Sequence, residues 1–135
     1  TDLDISRLDV VYAALEESYI SGDLAHCIDT DVAFHQTIAE ASHNVLIGHL
    51  TASLMRVIHG HVSKNLEHLH ARPQRWNQLR AQHRAIWQAI REHKPQEAAL
   101  AASAHIEFVR QGIEDKAREE ERRSSALRRL GETTP

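Results

Sequence analysis

Hydrophobic positions recur along this chain at helical spacing, in five blocks separated by short breaks. Ile5, Leu8, Val11, Tyr12, Leu15 and Tyr19 return every three or four residues, the pattern of one buried helix face. Ser21, Gly22 and Asp23 stop that run, and Asp23 is placed to cap a second helix reaching about Ser42. Ser42, His43 and Asn44 form a joint, with Asn44 as N-cap of a long third helix. Its apolar stripe passes through Leu46, Leu50, Leu54, Val57 and His61. Pro73 suits the first turn of a fourth helix, with Trp76, Leu79, His83, Ile86, Trp87 and Ile90 facing inward. Pro95 opens a fifth, carrying Ala98, Ala101, His105, Phe108 and Ile113. Beyond Ile113 the chain is nearly all charge and reads as a solvated, frayed extension. Short joints favour antiparallel neighbours. The expected fold class is therefore all-α, an antiparallel bundle of about five helices around a central pocket. The bundle is expected over residues 1–115, with 116–135 as a charged C-terminal extension.

Composition narrows the picture. The 135 residues suffice for one domain with a single core. A net charge of -3 supplies no overall basic field for nucleic acid. The lone Cys27 excludes a disulfide framework and fits a reducing, cytoplasmic setting. No apolar run approaches the roughly 18–20 residues that span a bilayer, and no signal-peptide pattern opens the chain. Eleven histidines are the compositional oddity.

The stripes themselves carry anomalies. Asp31 and His35 stand four apart among Leu24, Ile28 and Ile38, so they stack on one face of the second helix. His83 lies within Leu79, Ile86 and Ile90, and His105 between Ala101 and Phe108. Three helices thus each bring an ionisable group toward the common core. Buried charges are paired, neutralised or bound to metal, because an unpaired one costs several kcal/mol. Three imidazoles and one carboxylate form a good ligand set for a borderline divalent ion, Zn²⁺ first and Ni²⁺ second. The competing reading is four ordinary hydrogen-bonded core residues. His61, on the inner stripe of the third helix, is a candidate ligand-binding residue beside the metal, or an ordinary buried histidine. The remaining histidines (26, 43, 49, 59, 68, 70 and 93) fall on outer faces or joints.

"DVAFHQTIAEASHN", "QHRAIWQAI" and "AHIEFV" together resemble the C-terminal effector-binding (FCD) domain of the FadR subfamily of GntR transcription regulators. The resemblance runs from residue 1 to about residue 115. The family's metal ligands come from Asp-x-x-x-His, a His opening His-x-x-Ile-x-x-Ala-Ile, and a final His before an apolar pair. Asp31, His35, His83 and His105 match all four positions. The resemblance implies the metal-containing branch, whose effectors are small organic acids such as lactate, glycolate, pyruvate or related dicarboxylates. "AEASHN" and "RPQ" look most like the lactate- and glycolate-responsive members. Two departures stand out: the family's winged helix-turn-helix DNA-binding domain and the first helix of its effector domain are both absent from these residues.

The function this implies is a ligand-sensing and dimerisation domain. A divalent ion would hold a small carboxylic acid effector, and a homodimer would contact DNA only through the N-terminal domain. No membrane contact and no enzymatic activity are expected. Two alternatives stay open: a metal-dependent, hydrolase-like bundle, for which no general base emerges, and a purely structural ion. A di-iron bundle would need Glu-x-x-His within each of two helices, and the spacing at Glu67–His70 falls at a helix end.

Overall fold

The computed structural model describes residues 1–132, with the side chains at 54, 57–63 and 65 outside that description. Five helices follow one another: α1 (Asp2–Ser21), α2 (Leu24–Ala41), α3 (Val45–His70), α4 (Pro73–Arg91) and α5 (Pro95–Glu132). Each start has a local cause. Thr1 and Asp4 form a capping box on α1, Asp23 accepts from His26 N–H, and Asn44 accepts from the amides of Leu46 and Ile47. Pro73 and Pro95 occupy first turns, where a missing N–H does no harm. Gly22 closes α1 in the left-handed region at φ 71°, a conformation that a side chain would strain.

Contacts between helices fix their directions. Asp4 meets His43, and Ser18 meets Thr30, so α1 and α2 run antiparallel. Asp9 accepts from the Trp87 indole at 2.8 Å, and Glu16 accepts three bonds from Arg80 at 2.7, 3.0 and 3.2 Å, so α1 and α4 are also antiparallel. Arg75 reaches Asp115 while Gln82 reaches His105, which reverses α5 against α4. The Lys64 carbonyl accepts from Lys116, and Arg72 and His68 approach Glu119, laying the start of α5's outer half along the end of α3.

The core lies between α1, α2 and α4. Leu8, Leu15, Cys27, Phe34, Leu66, Leu69, Leu79 and Ile86 are buried there. Tyr12 stacks on Trp87 with centroids 4.2 Å apart, and Tyr19 meets Trp76 edge-on at 5.0 Å. Burying each large apolar side chain contributes roughly 1.5–3 kcal/mol.

Two expectations about stripes need correction. Leu46 and Leu50 are 65 % and 60 % exposed, because α3 meets the core through Leu66 and Leu69 in its last turns. Leu54, Val57 and His61, the rest of that stripe, lie outside the described residues. On α5, Ile113 stays 37 % exposed, and the buried position is the neighbouring Gly112. The charged segment after Ile113 is solvated, as its composition predicts, but it continues the helix to Glu132 rather than fraying. Ion pairs at helical spacing, Arg110 with Glu114 and Glu114 with Arg118, support that continuation.

Candidate metal centre

Asp31 and His35 stack one turn apart on α2, and helix packing delivers His83 from α4 and His105 from α5 to the same place. His83 is completely buried, His105 and Asp31 nearly so, and His35 keeps 21 % of its side chain exposed. One edge of the cluster therefore faces solvent. The inner nitrogens and the carboxylate converge. His83 Nε2 lies 3.0 Å from Asp31 Oδ1, His35 Nε2 lies 3.7 Å from the same oxygen, and His105 Nε2 lies 3.3 Å from His35 Nε2. All three imidazoles offer ligand atoms within 4.8 Å of one another.

The outer nitrogens are held from behind. His83 Nδ1 contacts the Tyr19 hydroxyl at 2.6 Å, and His105 Nδ1 contacts Gln82 Oε1 at 2.9 Å. Burial pushes the Tyr19 phenol far above its ordinary range, so it stays protonated. Burial also pushes Asp31 up, but contact with His83 and the fields of His83, His35 and His105 outweigh it, leaving the carboxyl at about 2. Burial lowers His35, with Asp31 pulling the other way. Burial again, then the neighbouring His83 and His35, lowers His105 to about 3. At neutral pH Asp31 is thus a carboxylate and His35 and His105 are neutral, the protonation state in which each can bind a metal.

The residues fit a divalent ion. With bonds of about 2.05 Å, the donor-to-donor edge of a coordination tetrahedron is roughly 3.3 Å, and the three measured separations bracket that value. His83 Nε2 adds a second sign. It is buried beside a carboxylate oxygen, yet no hydrogen bond satisfies it among the described residues. A buried polar atom of this kind requires an explanation, and a cation between it and Asp31 supplies one. Two apolar grooves lie away from the cluster, one bounded by Val32, Ala52 and Met55 and the other by Leu8, Ile38 and Ile90.

The structure brings together Asp31, His35, His83 and His105, the four candidates that the sequence singles out. His61, and His59 expected at the surface, lie outside the described residues. Of the other histidines, 26, 43, 49, 70 and 93 are exposed, and His68 is partly buried against Glu119. Sequence reasoning treated Tyr19 as core alone and passed over Gln82. The available signal at Tyr19 was its hydroxyl, since a phenol on an inner stripe needs a polar partner.

Comparison with known proteins adds the family. The profile of the FCD domain matches residues 1–108. The Glc operon transcriptional activator of Escherichia coli K12 is 33 % identical over 85 residues, covering 63 % of this chain and 34 % of that protein. An Escherichia coli K12 protein provisionally named as an L-lactate dehydrogenase operon regulatory protein is 32 % identical over 93 residues, covering 69 % and 36 % respectively. The chain spans about a third of the length of these relatives. With a match over most of its length and an all-helical bundle to go with it, the chain belongs to the FCD domain family.

Proposed function

We propose that this domain is the effector-sensing part of a GntR-type transcription regulator. In this reading Asp31, His35, His83 and His105 hold a divalent ion, zinc first and nickel as the alternative. The observation that carries it is the convergence of three imidazoles from three helices, with Asp31 Oδ1 3.0 Å from His83 Nε2 and 3.7 Å from His35 Nε2, a buried His83 nitrogen left without a hydrogen bond among the described residues, and the His35 edge open to solvent. When bound, the ion supplies a Lewis-acidic position for a carboxylate or hydroxyl oxygen of a small organic acid. Asp31 neutralises half of its charge, so an anionic ligand is favoured over a neutral one.

The acid would act by preferring one packing of the bundle. A ligand shifts such an equilibrium only through different affinities for its two states. Because α2, α4 and α5 all contribute donors, small changes at the cluster bear on how three helices meet. In the longer protein that shift would be passed, in a homodimer, to an N-terminal DNA-binding domain, in the cytoplasm. The relative named for an L-lactate dehydrogenase operon makes L-lactate and related 2-hydroxy acids the first ligands to try.

The test is metal analysis of the purified chain, followed by calorimetric titration with L-lactate, glycolate, pyruvate and a dicarboxylate. One ion per chain, lost in His83→Ala and His105→Ala, and a metal-dependent response to at least one acid are expected. An ion retained by both variants would overturn the site. A bound ion with no response to any acid would overturn the sensing role.

A further inference from the structure

We infer that Tyr19 and Gln82 are positioning residues that hold His83 and His105 with Nε2 turned inward as the metal-binding nitrogen. The inference rests on the metal-centre reading above. An imidazole binds a metal through a lone pair, so in the neutral ring the proton must sit on the other nitrogen. Whatever accepts that proton selects the tautomer, fixes the ring's angle and raises its basicity.

At His105 the assignment is direct. Gln82 Oε1 is a carbonyl oxygen and can only accept, so His105 Nδ1 carries the hydrogen and donates it over 2.9 Å. His105 Nε2 is then bare, and it faces His35 Nε2 at 3.3 Å. At His83 the outer partner is a hydroxyl, which can donate or accept, so the 2.6 Å contact with Tyr19 does not choose by itself. The ligand role of the other nitrogen chooses. His83 Nε2 is buried 3.0 Å from Asp31 Oδ1, on the side where the donors converge. An ion taken there needs the lone pair of Nε2, so the ring's hydrogen then sits on Nδ1. Tyr19 is the group placed to accept it.

The two outer partners come from different helices. Tyr19 reaches across from α1, which contributes no ligand, and Gln82 stands next to His83 on α4 while serving His105 on α5. Both are uncharged. Asp31 is therefore the one anion of the cluster, and a divalent ion bound there retains a net positive charge for an incoming carboxylate. Replacing Gln82 by a carboxylate should move ion and acid affinity in opposite directions.

Packing and positioning can be separated at Tyr19. Its ring rests edge-on against Trp76, and Tyr19→Phe keeps that ring while removing only the oxygen. Gln82 is partly exposed, so Gln82→Ala disturbs little packing. The experiment measures zinc affinity by competition with a chromophoric chelator, and histidine tautomers by ¹⁵N NMR of the zinc-loaded protein. Loss of affinity of about 10–100-fold is expected for Tyr19→Phe and for Gln82→Ala. Tyr12→Phe, whose ring stacks on Trp87 away from the cluster, should retain wild-type affinity. Gln82→Glu should bind zinc at least as tightly as the wild type and bind L-lactate more weakly. The NMR spectra should show hydrogen on Nδ1 of His83 and His105, with the His83 signature lost in Tyr19→Phe. A wild type that binds zinc, with affinity unchanged to within about twofold in both variants, overturns the positioning role and leaves the metal centre standing. Hydrogen on Nε2 of both rings overturns it equally. A wild type that binds no zinc removes the metal centre itself. Should Tyr19→Phe fail to fold, the Gln82 pair still decides.

Discussion

At the first turn of α1, Asp4 accepts from the Thr1 hydroxyl at 2.6 Å and from His43 Nε2 at 2.7 Å. These bonds, Thr1's first and His43's next, hold its carboxyl well below the ordinary 3.8. The folded chain thus binds this proton less readily than the unfolded chain, so stability rises with pH across the interval between the two values. The contribution is complete above the unfolded value of 3.8 and is lost as pH falls through the folded one. Denaturant melts of wild type and Asp4→Asn should show the wild type ahead at pH 7 and the gap closing below pH 3.8. A gap that stays constant with pH would mean that the carboxylate's charge is irrelevant. Single residues of this sort differ in how plainly a sequence announces them. Asp31 and His35 are legible because a four-residue spacing on an apolar stripe already places them together. His83 and His105 are legible as polar intrusions in otherwise apolar faces. Tyr19 and Gln82 are not, because their partners are set by how α1 crosses α4 and α4 crosses α5, and no local pattern encodes a crossing.

Helices, by contrast, announce themselves through caps and breaks, and all five were readable from Asp23, Asn44, Pro73, Pro95 and the joints between them. What periodicity could not supply is which turns of a long helix find a neighbour. The start of α3 has a good apolar stripe, yet Leu46 and Leu50 face out, and Leu66 and Leu69 do the packing. Length is the reason: at 26 residues α3 has more turns than the core meets. The same holds for α5, whose 38 residues carry it past the last buried position at Gly112. The two ends of α3 should therefore answer oppositely to substitution. Leu46→Lys and Leu50→Lys should change stability by no more than about 0.5 kcal/mol. Leu69→Ala, which empties a fully packed position, should cost about 2–5 kcal/mol. Urea denaturation of the three variants measures the difference. Comparable losses at all three positions would place the first half of α3 in a packed environment after all.

For the whole molecule, the cluster joins three sequence-distant helices, α2, α4 and α5, at one point. α5 meets the rest of the bundle mainly through half-buried Ala101, Ala102 and Phe108, whereas His105 is buried against α2 and α4. An ion shared by Asp31, His35, His83 and His105 would thus be a tie between α5 and the bundle as well as a docking point for an acid. Binding to the folded state alone stabilises it by mass action, by about 2.7 kcal/mol when free ion stands at 100 times its dissociation constant. For a chain of this size that corresponds to a rise of roughly 10 °C in the thermal midpoint. Stripping the protein with a chelator and restoring zinc should lower and raise the midpoint by that amount, and L-lactate should raise it further only when zinc is present. The decisive control is His105→Ala, because this sequence has other histidines that could bind zinc at the surface. In that variant the midpoint should no longer respond to zinc or to L-lactate. A zinc-dependent rise that survives the substitution would come from those surface histidines, and the buried cluster would then be a set of hydrogen-bonded core residues and nothing more.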